Sequence, residues 1–103
     1  MKRSIYLILN EDNGHIKVGI SKNPKSRLKQ LQTGSSAKLT ILYQRVVEHA
    51  SKIESNLHHD YQFQKVNLEW FDLSESIIDE IDRKITKYES NFILLEKENY
   101  LFE

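Results

Sequence analysis

The 103-residue sequence contains no cysteine, which excludes a disulfide framework and a metal site built on thiolates. With one proline and three glycines, it has no segment with the composition of a flexible linker. No hydrophobic run approaches the length of a membrane span, and the apolar segment near the N-terminus is too short for a signal peptide. We therefore expect one cytoplasmic domain over residues 1–103, without membrane contact.

A net charge is also absent, because 15 basic and 15 acidic residues cancel. Their distribution is uneven: residues 1–47 carry nine Lys or Arg and two Asp or Glu, whereas residues 48–103 carry six and thirteen. No acidic residue occurs between Asn13 and Val47. A basic half of this kind favours a polyanionic partner such as nucleic acid, although a solvated basic surface gives the same pattern.

Three segments have the composition or the alternation of β-strands. Ser4–Leu9 and Leu39–Val47 are rich in β-branched and aromatic residues, and isoleucine and valine alternate with other residues in His15–Ser21. The turn Asn10–Gly14 joins the first two strands as a β-hairpin. The sequence therefore predicts a small three-stranded, mainly antiparallel sheet.

Helices are predicted between and after these strands, which makes the expected fold class α/β with helices flanking the sheet. Pro24–Thr33 begins with a proline at a tolerated position and is followed by a glycine, a common helix stop. A second helix begins near His49 or Ala50 and has apolar residues at helical spacing. Phe63–Leu73 is predicted to be an irregular connection.

The C-terminal segment, residues 74–103, is predicted to hold a third helix with Ser74 as its N-cap. The tail from residue 91 onward is crowded with apolar side chains and either extends this helix or forms another short element. Packing of the tail onto the domain or onto a second copy suits these side chains, so homodimerisation is one expectation. The predicted buried face of the helix consists of Ile77, Ile78, Ile81, Ile85 and Tyr88.

Five residues are candidates for chemistry. Tyr6 and Lys17 lie on the two strands of the predicted hairpin, and Arg27 follows in the first helix. Glu54 and His58 are four residues apart and share one face of the second helix. Each also has an ordinary structural explanation as a strand residue, a surface cation or a surface pair. A lone carboxylate is, however, what Mg²⁺ usually receives from a protein.

These residues belong to a succession of short motifs within residues 4–73: Ser4-Ile5-Tyr6, Lys17-Val18-Gly19, the run Arg27–Gly34, Glu54, His58 and Leu68-Glu69-Trp70-Phe71. Each motif is weak alone, but their order within one small domain is specific. The order resembles the GIY-YIG nuclease superfamily, most closely its compact phage and bacterial branch. The sequence departs from the pattern at Ser4 and Leu68, where glycine is usual, and at Lys65, where arginine is usual.

The resemblance implies a metal-dependent endonuclease that hydrolyses phosphodiester bonds in DNA. The sequence itself leaves both DNA and RNA open as the nucleic-acid partner. Glu54 then holds a single Mg²⁺ or Mn²⁺, Arg27 stabilises charge at phosphorus, and Tyr6 orients or deprotonates the attacking water. Lys17 is expected to lower the pKa of Tyr6 or to contact phosphate. His58 either supports the site or donates a proton, or it only hydrogen-bonds the irregular connection.

The remaining basic residues are expected to steer and bind the nucleic-acid backbone; these are Lys22, Lys25, Lys29 and Lys38. In Glu69-Trp70-Phe71 the aromatic residues are predicted to seal the core and Glu69 to be structural. Two alternatives belong to other functional classes. One is a GIY-YIG-like accessory module of a phage or mobile element that binds nucleic acid or protein without cutting. The other is a structural domain whose basic half binds another anion, such as a nucleotide.

Overall fold

The computed structural model describes the backbone of residues 2–102 and the side chains of residues 2–98. It has a five-stranded sheet and three helices, which confirms the α/β class. A short 3₁₀ turn, Gln62–Gln64, follows the second helix. In chain order the elements are β1 (Arg3–Asn10), β2 (Ile16–Ser21), α1 (Pro24–Thr33), β3 (Leu39–Val47), α2 (Ala50–Asp60), β4 (Lys65–Asn67), β5 (Trp70–Phe71) and α3 (Ile77–Phe102).

The strands lie in the order β3-β1-β2-β5-β4, and each neighbouring pair is antiparallel. The predicted hairpin is confirmed, with β1 and β2 paired from Ser4 opposite Ser21 to Leu9 opposite Ile16. The predicted number of three strands was wrong, because β4 and β5 form within the segment expected to be irregular. These strands have three and two residues, too few to produce a detectable alternation.

Alternation along β1 divides the core between the two faces of the sheet. Ile5 and Leu7 pack on the side of α2 and α3, together with buried residues of both helices. Tyr6 and Ile8 point to the opposite side, where Leu28 and other residues of α1 pack against them. Because side chains alternate along a strand, the sheet presents a mainly apolar face to α2 and α3 and a mixed face to α1.

The helix boundaries agree with the sequence for α1 and α2 and differ for α3. Helix α1 begins after Asn23, whose side chain accepts a hydrogen bond from the Ser26 backbone amide at 3.1 Å. Ser74 is not the N-cap of α3, because this helix begins only at Ile77. The Ser74 carbonyl accepts a hydrogen bond from the Ile77 amide at 3.0 Å, within a turn that precedes the helix.

Helix α3 is attached through the predicted apolar face and through polar contacts on either side of it. Ile81 and Ile85 are fully buried, and the other three predicted residues pack against the same core. Arg45 of β3 forms an ion pair with Asp82 at 3.1 Å. The Tyr88 hydroxyl donates to Asp60 of α2 at 2.5 Å. Two of the acidic residues in the second half of the chain are thus used to hold α3 and α2 in place.

The C-terminal tail continues α3 as one helix, which was one of the two predicted outcomes. Leu94 and Leu95 are 55% and 52% exposed, so part of its apolar surface faces solvent. Tyr100, Leu101 and Phe102 belong to the predicted apolar tail, but their side chains lie outside those described. Homodimerisation through this segment therefore stays a prediction. Over its described part, no helix combines the length and the hydropathy that a membrane crossing requires.

We predict that Gly19→Ala destabilises the protein by about 1–3 kcal/mol, the usual range for overpacking a core. A Cβ atom at Gly19 would lie 2.4 Å from the Tyr6 hydroxyl oxygen, so the buried ring has to move. Gly34→Ala is the matched control, because its nearest atom would be 3.9 Å away. Urea unfolding of both variants measures the difference, and Tyr6→Leu combined with Gly19→Ala should recover part of it. Equal stability of the two single variants contradicts this packing.

Candidate functional site

The mixed face of the sheet carries two of the five candidate residues. Tyr6 of β1 and Lys17 of β2 point to the side of α1, because their neighbours Ile5, Leu7, Ile16 and Val18 all pack on the opposite side. Tyr6 lies opposite Gly19, and Lys17 lies opposite Ile8 on the same pair of strands. The strand register therefore places Tyr6 and Lys17 on the same face of the hairpin, diagonally across from each other.

The Tyr6 side chain lies directly over Gly19 and is 1% exposed. Burial raises the pKa of its phenol, whereas hydrogen bonding and the positive charge of Arg27 lower it by a smaller amount. The charges of Glu69 and Glu54 also raise this pKa, so both carboxylates lie within electrostatic range of the ring. Tyr6 is consequently a neutral phenol at pH 7 with Arg27 as its cationic partner.

Arg27 is positioned by the first turn of α1. The Asn23 cap and Pro24 fix where this helix begins, and the Arg27 amide donates to the Asn23 carbonyl at 3.1 Å. Its guanidinium donates to the neutral Gln30 side chain at 3.1 Å. Among the described residues, no carboxylate lies within ion-pair distance of Arg27. Its positive charge is therefore available to an anionic ligand beside Tyr6.

Glu54 reaches the same region from α2, on the other side of the sheet. Burial raises the pKa of this carboxyl, and the negative charge of Glu69 raises it further, against smaller lowering effects from His58, Lys17 and Arg3. No described residue forms a hydrogen bond or an ion pair with the Glu54 carboxylate. A half-buried carboxylate without a direct partner is costly in the folded state.

His58 attaches α2 to the open edge of β2. Its Nε2 atom donates to the Val18 carbonyl at 2.8 Å, and its ring lies 5.1 Å from the ring of Phe71. The pairing of β2 with the β4–β5 hairpin also ends at Val18. The last hydrogen bond of this pairing runs from the Val18 amide to the Glu69 carbonyl, at 3.0 Å. The partner of His58 is thus the strand itself, and this bond orients the helix face that also carries Glu54.

Lys17 is neutralised by a residue that the sequence analysis regarded as structural. The Lys17 ammonium forms an ion pair with Glu69 at 2.7 Å, and the Lys17 side chain is 8% exposed. The same ammonium lies 5.7 Å from the centre of the Trp70 ring. Arg27, not Lys17, is the cation that lowers the pKa of Tyr6. Glu69 therefore belongs to the site, and its 52-residue separation from Lys17 left no local signal in the sequence.

The aromatic pair of the same segment is divided between the two faces of the sheet. Phe71 is fully buried with the core that faces α2 and α3, as predicted for a core residue. Trp70 lies on the opposite face and packs against the group that contains Tyr6 and Ile8. Its partial exposure leaves a flat aromatic surface next to Lys17.

The chemistry of Glu54 fits a divalent cation held mainly by water and substrate. The described residues contain no cluster of three or more His, Cys, Asp or Glu, so no closed protein coordination sphere is built here. Mg²⁺ and Mn²⁺ do not require one, since one carboxylate with water and phosphate oxygens suffices. A cation at Glu54 would also offset the repulsion between Glu54 and Glu69 that raises the Glu54 pKa.

The four predicted backbone-binding lysines do not form one surface. Lys22 and Lys25 line a cleft of about 400 Å³ at the N-terminal end of α1. Lys29 is exposed on α1. Lys38 lies at the other end of the sheet, where its ammonium is 3.7 Å from the Glu11 carboxylate. Lys22 and Lys25 are thus the lysines grouped at the helix end that precedes Arg27.

Comparison with known protein families identifies the family to which the chain belongs. The family model described as the T5orf172 domain matches residues 3–86, which include all five strands, α1, α2 and the start of α3. The chain belongs to the T5orf172 family. T5orf172 is a phage-associated domain, and membership is compatible with a nucleic-acid-related function. Neither the curated proteins nor the solved structures gave a match.

For this T5orf172 domain we predict that Glu54→Gln raises the melting temperature at pH 7. A carboxyl whose pKa is raised by folding destabilises the folded state when it is ionised. The penalty is fully present above the folded pKa and absent below the unfolded value of about 4.3, so the gain should disappear as the pH falls through this window. Thermal unfolding from pH 3.5 to 7.5 measures it, with exposed Glu75→Gln as the control. A pH-independent or lower melting temperature contradicts the assignment.

Proposed function

We propose that this T5orf172 domain is a metal-dependent endonuclease of the GIY-YIG type that hydrolyses phosphodiester bonds in DNA. RNA is the second candidate substrate. The proposal is supported by the convergence of three groups near β2: the neutral Tyr6 phenol, the Arg27 guanidinium and the Glu54 carboxylate. Neither charged group has an ion-pair partner among the described residues. These groups come from β1, α1 and α2, and each is suited to a different part of phosphodiester hydrolysis.

Arg27 is assigned to the phosphate. Its guanidinium donates to the non-bridging oxygens and neutralises the charge that grows on them as water attacks. Because no described carboxylate competes for this side chain, its charge is retained for the substrate. Lys22 and Lys25, at the preceding helix end, attract the strand toward it.

Tyr6 is assigned to the attacking water. Because the pKa of Tyr6 is raised, little phenolate is present at neutral pH to accept a proton, so the hydroxyl acts by orienting the water through a hydrogen bond. Packing on Gly19 fixes the hydroxyl and limits the geometries that the water can adopt. Tyr6 thus contributes more by positioning the water than by removing a proton from it.

Glu54 is assigned to the metal and is the residue that would hold Mg²⁺ or Mn²⁺. Such an ion supplies Lewis-acid stabilisation of the phosphate and the leaving oxygen. His58 keeps the Glu54 face of α2 against β2, and the Lys17–Glu69 ion pair closes the adjacent side of the site. His58 and Lys17 are positioning residues in this proposal.

A domain that only binds nucleic acid is the alternative, and Glu54 argues against it. A half-buried carboxylate beside a phosphate site repels a polyanion and raises the energy of the folded protein. Arg27 and the nearby lysines bind phosphate without it. The position of Glu54 is therefore better explained by a cation that it holds than by binding alone.

We predict that the purified protein converts supercoiled plasmid to open circles in the presence of Mg²⁺ or Mn²⁺. One site per chain cuts one strand, so linear DNA should accumulate later or require two copies. Arg27→Ala and Glu54→Ala should each lower the initial rate by about 10²–10³-fold, as for loss of a charge-stabilising group. Gel electrophoresis over time measures the rates, with Arg83→Ala and Glu75→Gln as exposed controls.

Two outcomes contradict the assignment in different ways. Cleavage that survives in both the Arg27 and the Glu54 variants places the active site elsewhere or reveals a contaminating nuclease. Plasmid binding without cleavage by the unmodified protein, unchanged in both variants, supports the accessory module instead. Filter binding or a gel shift in EDTA separates these cases, because it measures association without turnover.

A further inference from the structure

A neutral cavity lies on the same face of the sheet, at the end opposite to the N-terminus of α1. Its volume is about 450 Å³, within the usual range for ligand pockets. Three segments surround it: the β1–β2 turn, the C-terminal part of α1 with the loop that follows, and the β4–β5 hairpin. The residues that line the cavity include Asn10, Asn13, His15, Leu31, Asn67 and Trp70.

The chemistry of this cavity differs from that of the site beside Tyr6. Among the residues described, no Asp, Glu, Lys or Arg lines it, and its walls combine apolar side chains, one indole, the His15 imidazole, the Ser35 hydroxyl and three carboxamides. A phosphate therefore finds no lysine or arginine there, and a metal ion finds no carboxylate. A nucleobase is flat, uncharged and edged with hydrogen-bonding groups, which matches an aromatic wall and amide groups.

The two asparagines of the β1–β2 turn have defined hydrogen-bonding roles. The Asn10 side-chain oxygen accepts from the Asp12 amide at 2.9 Å, and the Asn13 side-chain oxygen accepts from the His15 amide at 2.9 Å. No described residue accepts a hydrogen bond from their NH₂ groups. Each carboxamide is therefore fixed through its oxygen and retains two donor hydrogens, which suit carbonyl oxygens and ring nitrogens of a base.

The walls of the cavity are held in place before any ligand binds. Gln32 of α1 donates to the Ala37 carbonyl at 2.7 Å and accepts from the Leu39 amide at 2.8 Å, which fixes the α1–β3 loop. The Glu11 amide donates to the Lys38 carbonyl at 3.0 Å and joins this loop to the β1–β2 turn. A preformed pocket loses less conformational entropy on binding than a mobile one.

Trp70 connects the cavity to the proposed phosphodiester site. Its ring lines the cavity and also lies 5.7 Å from the Lys17 ammonium. Tyr6 and Asn10 are four residues apart on the same strand, which corresponds to about 13 Å. That distance is about four nucleotides of a stacked strand at 3.4 Å each, and fewer in an extended strand. One strand can therefore occupy both places.

We propose that this cavity binds one unstacked base of the substrate strand, stacked on Trp70 with its edge toward the carboxamides of Asn10, Asn13 and Asn67. The inference rests on the proposed function in that it takes the ligand to be a nucleic-acid strand. It names the substrate class more closely: a strand with an unpaired base a few nucleotides from the cleaved bond. In fully paired DNA such a base has to be unpaired and unstacked before it can enter the cavity.

Fluorescence of Trp70 tests this directly, because it is the only tryptophan in the sequence. The protein is titrated in EDTA with a single-stranded 12-nucleotide DNA, with an abasic DNA of the same length and charge, and with a nucleoside monophosphate. We expect the normal strand to quench the emission and to bind about tenfold more tightly than the abasic strand, the scale of one base–aromatic stack. Asn13→Ala and Asn67→Ala should weaken binding of the normal strand only, with exposed Asn91→Ala as the control.

Each other result overturns the proposal. Equal affinity and quenching with the abasic strand mean that phosphates alone are recognised. Equally strong quenching by the monophosphate means that the pocket takes free nucleotides and not a base of a strand. If neither strand binds at low salt, a nucleic-acid strand is not the ligand of this cavity. Because the titration contains no metal, it measures binding without cleavage. A negative result therefore leaves the nuclease proposal standing, and a lack of nuclease activity leaves the binding result standing.

Discussion

The packing of the Tyr6 ring on Gly19 is the contact on which the rest of the site depends. A side chain at position 19 would occupy the space of the phenol, so the absence of a Cβ atom lets the ring lie flat on β2. The hydroxyl then lies at the part of β2 that no longer pairs with β5, where Arg27 approaches from one face of the sheet and Glu54 from the other. His58 secures this arrangement through the Val18 carbonyl.

The charges around this contact are divided into a neutralised pair and two unpaired groups. Lys17 and Glu69 neutralise each other at 2.7 Å, whereas Arg27 and Glu54 have no ion-pair partner among the described side chains. Burial, together with the negative charge of Glu69, raises the pKa of the Glu54 carboxyl. Such a cost is typical of functional positions, where stability is given up for a group that a ligand later satisfies. The same distribution explains how a protein without net charge can present positive charge to a phosphate.

The long elements were predictable because alternation and helical spacing are local signals. The grouping of Tyr6, Arg27 and Glu54 came instead from the resemblance to the GIY-YIG motif order. The sequence analysis missed β4 and β5, since strands of three and two residues carry no periodicity and Val66 and Leu68 are exposed. It also missed the role of Glu69, because an ion pair between residues 52 positions apart depends on the sheet order. The neutral cavity was not predicted for a third reason. Its asparagines are common turn residues, and they line a cavity only because three loops pack together.

In the proposed site, the Glu54 carboxylate holds a divalent cation beside Tyr6 and Arg27. Binding of Mn²⁺, followed by the electron paramagnetic resonance signal of the free ion, tests this assignment most directly. After subtraction of the uptake by a duplex oligonucleotide alone, the account predicts one additional Mn²⁺ per chain in the protein–duplex mixture. This uptake should be lost in Glu54→Gln and retained in Glu98→Gln. Equal uptake by the Glu54 variant, or no uptake by the unmodified protein, would contradict the account.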